Sequence, residues 1–274
     1  MLAEQKNTAA RFIQKADSFL SGAYTAQDIT FNFVDDPEPA HSTKVINNAA
    51  QDIKQPVGLQ YEQTADLNSD ASNSEKLKLI ADQISVCNAC PLCTTRIKTV
   101  SGEGVPHPLV LFIGEGPGAD EDESGRPFVG RAGQLLDKML SVIGLSRQKN
   151  CFIANIIKCR PPGNRDPLPI ETASCSTFLQ RQIDVLKPLL IVGLGRVPLA
   201  TLLQNTAGIT KMRGIWLEYS GIPFLPTFHP SYLLRDESQK KFSWEDFKSL
   251  SRRLALLDGV YATQSAELRR KHNI

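Results

Sequence analysis

A short apolar run that leads straight into a glycine-broken, acidic loop constrains this chain more than any other stretch. The run, Leu109–Ile113, is rich in branched residues, which is typical of a buried strand. The loop Gly114–Gly118 follows it, and four consecutive acids, Asp120–Glu123, come next. Carboxylates are rarely buried unless they are paired, so their concentration at the carboxyl end of a buried strand indicates an active site.

Three further apolar runs have the length of buried strands, and helical patterns separate them. The runs are Cys151–Ile157, Leu189–Val192 and Ile222–Phe228, and the helical segments are Ala132–Ile143, Ile170–Leu186, Val197–Gln204 and Trp244–Leu257. This alternation predicts an α/β fold, a three-layer α/β/α sandwich with a central four-stranded parallel sheet. Ligands of such sheets bind at the carboxyl ends of the strands.

Residues 1–75 differ from the rest of the chain in composition. Residues 1–22 have the spacing of one amphipathic helix, and the polar stretch that follows predicts a largely disordered linker. We therefore predict a mostly disordered N-terminal extension over residues 1–75 and a folded domain over residues 76–274. No apolar run approaches the roughly 18 residues of a membrane span, and the N-terminus lacks the apolar core of a secretory signal. A cytoplasmic protein without membrane contact is expected.

The net charge of +2 is unevenly distributed. Residues 1–80 carry 7 Lys and Arg against 11 Asp and Glu, whereas residues 81–274 carry 24 against 18. A basic folded region is typical of proteins that bind polyanions. Ordinary solvated surface charge explains this number equally well.

The cysteines are clustered in a way that indicates metal or redox chemistry more than a disulfide framework. Cys87, Cys90 and Cys93 form the motif CNACPLC, and Cys159 and Cys175 follow at a distance. Such a set can complete a zinc site or ligate an iron–sulfur cluster, and the wide spacing of the last two thiols favours the cluster. Free, partly buried cysteines are the alternative. Cys87 with Cys90 and Cys90 with Cys93 have the same two-residue gap, so spacing does not choose between them.

Three motifs together resemble the type-4 uracil-DNA glycosylases, the iron–sulfur branch of that superfamily. The motifs are GEGPGADEDESGRPFVGRAGQLLDKML, NIIKCRPPGNRDPLPIETASC and HPSYLLR, and the resemblance extends from about Ser85 to Leu257. It implies an enzyme that flips uracil out of DNA and hydrolyses its N-glycosidic bond, leaving an abasic site for base excision repair. It also implies a 4Fe-4S cluster on Cys87, Cys90, Cys159 and Cys175, which leaves Cys93 as a spare thiol. We expect a monomer, with the N-terminal helix as a candidate contact for a protein partner.

The motifs assign uracil recognition to three side chains. Phe128 is expected to stack on the flipped base. Asn155 offers a donor and an acceptor to uracil O4 and N3–H, a pattern that cytosine reverses. His229 is expected to donate a hydrogen bond to uracil O2 as negative charge grows on the leaving base, an effect of about 3 kcal/mol on the barrier.

The acidic loop supplies the remaining predicted site residues. Glu121 is the carboxylate expected to stabilise the cationic sugar and to orient a water. Glu115, Gly116 and Gly118 are expected to line the base pocket. The other acids of the run Asp120–Glu123 are interpreted as solvated or as structuring the loop.

Basic residues close to these motifs are expected to bind DNA. We predict phosphate contacts from Lys158, Arg160, Arg165 and Arg235, and hence binding that weakens with salt. Leu233 is predicted as the tip of an apolar wedge that enters the duplex. A helix start that buries its leucines is the alternative.

Two other classes of function are alternatives to a glycosylase. The pattern of glycines after the first strand formally meets a dinucleotide fingerprint, but acids follow where a pyrophosphate would lie. The second class is an iron–sulfur DNA-binding module without base-release activity. It predicts DNA binding with no loss of uracil.

Overall fold

The structure of this protein, a computed structural model, describes residues 71–271. The predicted N-terminal helix and nearly all of the predicted linker lie outside these residues. None of the helices within residues 71–271 is long and apolar enough to cross a membrane. The first of them begins at Asn73, where Ser72 and Glu75 form a reciprocal capping box.

A single sheet forms the centre of the described chain. Its strands are β1 Glu103–Gly104, β2 Val110–Gly114, β3 Cys151–Asn155, β4 Leu190–Leu194, β5 Leu217–Tyr219 and β6 Ile222–Thr227, in the order β1-β3-β2-β4-β6-β5. β2, β3, β4 and β6 are parallel, whereas β1 and β5 pair antiparallel at the two edges. The predicted parallel sheet is confirmed. Its strand count is corrected from four to six, because the edge strands are two and three residues long and contain no apolar run.

Helices cover both faces of the sheet. Within residues 71–271 they are α1 Asn73–Ser85, α2 Ala119–Ser124, α3 Arg131–Val142, α4 Pro169–Leu186, α5 Arg196–Leu203, α6 Ile209–Met212, α7 Pro230–Arg235, α8 Lys240–Leu257 and α9 Gly259–Lys271. The four helical segments predicted from the sequence correspond to α3, α4, α5 and α8. The first turn of α8 and the short helices between strands carry too few apolar residues to be recognised by periodicity.

Two apolar cores, one on each face, make this a three-layer fold. Val110 and Phe112 of β2 pack with residues of α3 and α8, while Leu111 and Ile113 pack with residues of α4 and α5. All four side chains are fully buried. Because β2 is covered on both faces, its sequence is a continuous apolar run without alternation.

The parallel strands end side by side and so bring distant parts of the chain together. Gly114 at the end of β2 is paired with Asn155 at the end of β3, and Leu194 at the end of β4 is paired with Thr227 near the end of β6. The loops that leave these four ends form the walls of one cleft. His229 lies two residues after the end of β6 and is the N-cap residue of α7.

Candidate active site

A cleft with about 1180 Å³ of empty space, open solvent included, lies at the carboxyl ends of the parallel strands. The structure brings together in it every residue predicted for base binding or catalysis, namely Glu115, Gly116, Gly118, Glu121, Phe128, Asn155 and His229. These residues come from three separate sequence motifs. Their individual roles remain predictions.

Phe128 forms one wall of the cleft with an unusual backbone conformation. Its φ angle is +52°, in the left-handed region that side chains rarely adopt. Its ring is nearly buried and lies 5.5 Å from the ring of His229, centroid to centroid. A Cβ atom at Gly114 would lie 2.6 Å from the Phe128 ring and 2.5 Å from Asn155 Oδ1. Glycine at position 114 is therefore required for both side chains to sit where they do.

Asn155 presents a buried amide oxygen with no partner. The residue is 1% exposed, and its Oδ1 atom has no hydrogen bond to any described residue. A buried acceptor that lacks a donor costs about 1–3 kcal/mol, so native structures usually satisfy it. The arrangement favours a ligand that brings an N–H donor into the cleft beside Phe128.

His229 is fixed as a neutral ring with its proton on one nitrogen. The backbone N–H of Ser231 donates to Nδ1 at 3.1 Å, so Nδ1 is unprotonated and Nε2 carries the hydrogen. The Ser231 hydroxyl lies 2.8 Å from the same nitrogen. Burial, with a smaller effect of the nearby Arg235 guanidinium, lowers the pKa of His229 to about 4. At neutral pH the ring is thus an uncharged hydrogen-bond donor.

Glu121 uses both of its carboxylate oxygens to organise the loop around it. Oε1 accepts from the backbone N–H groups of Val129 and Gly130 at 2.8 and 2.9 Å, and Oε2 accepts from that of Gly118 at 3.1 Å. The carboxylate lines the cleft, but three amides fix its orientation. These hydrogen bonds hold the carboxylate in one position.

Glu115 is the contrasting carboxylate of the cleft. It is half-buried, and although its backbone carbonyl accepts from the Ile157 N–H, its carboxylate makes no hydrogen bond within residues 71–271. Burial raises the pKa of this carboxyl group; Asp166 adds to the effect and Arg196 opposes it. An unpaired carboxylate with a raised pKa has the properties of a general base.

Three of the five residues predicted to bind DNA lie on or near the rim of the cleft. Arg165 and Arg235 line the cleft, and Arg165 also makes two hydrogen bonds, of 2.6 and 2.8 Å, to the Glu171 carboxylate. Arg160 is partly exposed and donates to Asn164 Oδ1. All three remain predicted phosphate contacts.

The prediction that Lys158 contacts phosphate is wrong. Its side chain is 1% exposed, and Nζ donates to the carbonyl of Asn155 and to Gln182 Oε1, each at 2.8 Å. Burial lowers the pKa of Lys158 to about 8. The ammonium group is therefore directed into the protein and not towards solvent.

The prediction that Leu233 is a wedge tip is also wrong. Leu233 is 1% exposed and belongs to the core between the sheet and α3. The helical phase of α7 turns it inward, which is the alternative raised from the sequence. Arg235, two residues later, is exposed.

Asn164, Arg196 and Ser231 line the cleft and were not identified from the sequence. Arg196 begins α5 after Gly195, whose φ of +95° shapes the turn that leaves β4, and it pairs with Asp166 at 2.5 Å. Ser231 lies within the HPSYLLR motif, so its proximity to His229 was the available signal. Nothing in the local sequence distinguishes Asn164 from a turn residue.

Cysteine side chains line a second, smaller cavity, which shares no lining residue with the cleft. It is lined by five cysteines, namely Cys87, Cys90, Cys93, Cys159 and Cys175. Ile80 and Ile84 of α1 pack on Phe178 and Val185 of α4, and this contact brings the segment after α1 next to Cys175. All five thiols are free, and burial raises the pKa of Cys175 to about 11.

The groups around these thiols fit an anionic sulfur centre. Arg96 Nη1 donates to Cys159 Sγ at 3.3 Å, and Lys158 lines the same cavity. Residues 71–271 contain no group of three or more His, Cys, Asp or Glu arranged to hold a single metal ion. An all-sulfur donor set with nearby cations is the chemistry that iron–sulfur clusters use.

Asp122 joins this cavity to the cleft. It is 2% exposed, and its Oδ1 accepts from the backbone N–H groups of Ile97 and Lys98, next to Arg96. Asp122 also belongs to α2, directly after Glu121. It therefore structures the loop, as expected, and it ties the cysteine segment to the helix that carries Glu121.

The chain is similar to known proteins over most of the described residues. The model of the family described as "Uracil DNA glycosylase superfamily" matches residues 101–250. The "Type-4 uracil-DNA glycosylase" of Thermotoga maritima is 43% identical over 171 residues, which are 62% of this chain and 88% of the relative. The proteins of the same name from Sulfurisphaera tokodaii and Saccharolobus solfataricus are 41% and 40% identical over 196 and 190 residues. These matches cover 68% and 66% of this chain and 88% of each relative.

Proposed function

This chain belongs to the uracil-DNA glycosylase superfamily, and from that membership we propose that it removes uracil from DNA by hydrolysing the N-glycosidic bond. The product is an abasic site, the first intermediate of base excision repair. The relatives named type-4 uracil-DNA glycosylases place the chain in that branch. The observation that carries the proposal is the amide oxygen of Asn155, which has no partner within residues 71–271 and belongs to the same cleft as Phe128 and His229.

Uracil fits this part of the cleft by face and by edge. The Phe128 ring offers a surface on which the flipped base stacks. Asn155 Oδ1 accepts from uracil N3–H, and Nδ2 donates to O4. Cytosine presents an acceptor at N3 and an amino donor at position 4, so both contacts become unfavourable.

His229 stabilises the leaving base. Its Nε2–H donates to uracil O2, where negative charge accumulates as the glycosidic bond breaks. The Ser231 amide holds the ring in the required tautomer. A preorganised donor of this kind contributes about 3 kcal/mol to lowering the barrier.

Two carboxylates, Glu121 and Glu115, have separate roles at the sugar and at the attacking water. Glu121, fixed by three amides, stabilises the positive charge that develops on the sugar. The geometry supports assigning the orientation of the attacking water to Glu115 rather than to Glu121, because Glu115 is unpaired. As the oxygen of that water bonds to the sugar carbon, the N-glycosidic bond breaks and Glu115 takes the proton that the water loses. Uracil departs as an anion that is protonated afterwards.

A 4Fe-4S cluster is proposed for the sulfur cavity. Cys87, Cys90, Cys159 and Cys175 would hold it, with Cys93 as the thiol that remains free. When bound, the cluster supplies covalent links between the segment after α1, the end of β3 and helix α4. No step of base release passes through it.

The remaining features of the protein are proposed in outline. We infer a domain over residues 76–274 that acts as a monomer on uracil-containing DNA in the cytoplasm, preceded by an extension over residues 1–75. Arg160, Arg165 and Arg235 would contact phosphates beside the cleft, and Arg196 extends this basic rim. The N-terminal helix is proposed as a site for a protein partner.

The decisive experiment incubates the purified protein with an oligonucleotide that contains one uracil and then cleaves abasic sites with alkali. Strand cleavage at the uracil is expected, with none in matched oligonucleotides that contain thymine or cytosine. Asn155→Ala is the matched variant, and it should bind DNA without releasing the base. Intact strands at enzyme excess, with DNA bound, would support the DNA-binding module instead.

A further inference from the structure

Arg147 is a buried arginine that lies outside the cleft and outside every motif that identifies the family. It is 4% exposed and lies in the connection between α3 and β3. Its guanidinium group makes hydrogen bonds through all three nitrogens. It is absent from the residues that line the cleft. Direct contact with the base or with DNA therefore does not account for it.

The guanidinium group is directed at the backbone that supports the stacking ring. Arg147 Nη1 donates to the carbonyl of Pro127 at 2.8 Å, and Nη2 donates to the carbonyl of Phe128 at 3.0 Å. These are the two carbonyls next to the left-handed φ angle of Phe128. A conformation that side chains rarely adopt persists only where its surroundings determine it.

Glu121 also holds this turn, through the amides that follow Phe128. Its Oε1 accepts from the amides of Val129 and Gly130, which follow Phe128 directly. A cation therefore binds the two carbonyls of this turn, and an anion binds the two amides that follow them in the chain. A Cβ atom at Gly133 would lie 1.8 Å from the Phe128 carbonyl oxygen, so this backbone also packs tightly against α3.

The position of Arg147 is set by two carboxylates. Asp137 of α3 accepts from Nε and Nη2 at 2.9–3.1 Å, and Glu103 of β1 accepts from Nη1 at 3.3 Å. These acids neutralise the guanidinium charge, which excludes a role in attracting phosphate. The planar fork can serve two carbonyls and a carboxylate at fixed angles, which the single ammonium group of lysine cannot reproduce.

We propose that Arg147 is a positioning residue for uracil recognition, which acts by holding the Phe128 backbone so that the ring faces the flipped base. The proposal rests on the proposed function, because it assigns the stacking role to Phe128. The proposal gives the two residues different roles: Phe128 contacts uracil, and Arg147 orients Phe128. Arg147 itself touches neither base nor sugar.

The test measures inhibition by free uracil and affinity for an oligonucleotide that contains an abasic site. In Arg147→Met, the inhibition constant for uracil should rise about 10-fold, the size of effect that loss of one base–aromatic stack produces. Affinity for the abasic oligonucleotide should stay within about 2-fold of wild type, because the basic rim is untouched. Arg126→Met is the matched control, since Arg126 pairs with the same Glu103 but with neither carbonyl.

A double-mutant cycle with Phe128→Ala separates positioning from general destabilisation. If Arg147 acts through the ring, Arg147→Met should cause no further rise in the uracil inhibition constant once the ring is absent. An equal rise in both backgrounds, or no rise in the wild-type background, would overturn the proposal. If Arg147→Met does not fold, Arg147→Lys, which keeps the charge between Glu103 and Asp137, takes its place in the same cycle.

The proposal and the proposed function fail in different ways. Wild-type protein that leaves uracil in DNA contradicts the function, whatever the variants do. Wild-type protein that releases uracil, with a single Arg147→Met effect that is additive to Phe128→Ala, contradicts the positioning role alone.

Discussion

The side chains of the cleft differ in how far the protein itself satisfies them. Glu121 accepts three backbone hydrogen bonds, His229 is fixed through Nδ1, and the amide oxygen of Asn155 has no partner in the part of the chain that the structure describes. A group whose hydrogen bonds are made within the protein is held in a fixed position. A buried group without such bonds is available to bind a ligand. Substitutions at these three positions should therefore have different signatures.

Asn155→Asp should weaken discrimination between uracil and cytosine. The change keeps an acceptor for N3–H but removes the donor for O4, which costs about 1–3 kcal/mol, or on the order of 10- to 100-fold in kcat/KM for uracil. Relative activity on oligonucleotides with uracil or cytosine checks this, with abasic-site affinity as the control for DNA binding. An unchanged preference for uracil would count against the assigned contacts.

Substitution of the two carboxylates, Glu121 and Glu115, should affect the thermal stability of the protein differently. Glu121→Gln places an amide NH2 group against backbone N–H donors, so both activity and melting temperature should fall. Glu115→Gln removes a half-buried charge without a partner, so activity should fall while the melting temperature stays equal or rises. Thermal unfolding and single-turnover rates of the two variants check this; a destabilised Glu115→Gln with normal turnover would reverse the assignment.

His229 predicts a pH dependence of stability. Its pKa is lowered to about 4 in the folded protein from an ordinary value of 6.5, so the unfolded chain binds the proton more readily. The contribution of His229 to stability is full above pH 6.5 and is lost as pH falls towards 4. In denaturant titrations the advantage of wild type over His229→Asn should grow from pH 4 to 6.5. A constant difference would indicate an unperturbed ring.

At the scale of elements, helix α7 shows why sequence placed some side chains wrongly. HPSYLLR contains the cleft residue His229 and the core residue Leu233 within one turn and a half of helix. The motif indicates that this segment contains residues of the site. Which of its side chains turns into the core is decided only by the packing of α7 on the sheet. Lys158 was misplaced for the same reason, since a single turn after β3 separates the cleft from the interior.

Leu233→Ala therefore tests packing rather than duplex insertion. Removal of a fully buried leucine side chain should destabilise the protein by about 2–5 kcal/mol. Urea unfolding measures this, and the affinity of the folded variant for abasic DNA should be close to that of wild type. A loss of DNA affinity with unchanged stability would restore the wedge.

The strands divide in the same way into those that sequence could predict and those that it could not. β2 and β3 are buried on both faces and read as continuous apolar runs, so their parallel pairing followed from composition. β1 has two residues and β5 three, and each is recognised as a strand only through its antiparallel pairing with the neighbouring strand. Arg147 was invisible to sequence reasoning because its role exists only through contacts 19 and 20 residues away.

At the scale of the whole molecule, the cavity lined by cysteines predicts which cysteine substitutions cause the protein to lose iron. Cys175→Ser should lose iron and sulfide on purification under anaerobic conditions, whereas Cys93→Ser should retain both. Cys151→Ser is the matched control, since this buried cysteine of β3 lies outside the cavity. Iron and sulfide analysis with the visible absorption spectrum measures the outcome. A colourless wild-type protein that contains zinc would exclude the cluster.

The sheet order has a consequence for synthesis of the protein. Phe128 and Asn155 belong to loops and strands in the first half of the described chain, but His229 follows β6, which pairs between β4 and β5. Ribosomes deliver the chain from its N-terminus at about 5–20 residues per second, so the base platform is made before the group that releases the base. A nascent chain that stalls before β6 therefore holds an open sheet edge at β4 and no leaving-group donor. Capacity to release uracil arises in the same step that closes that edge.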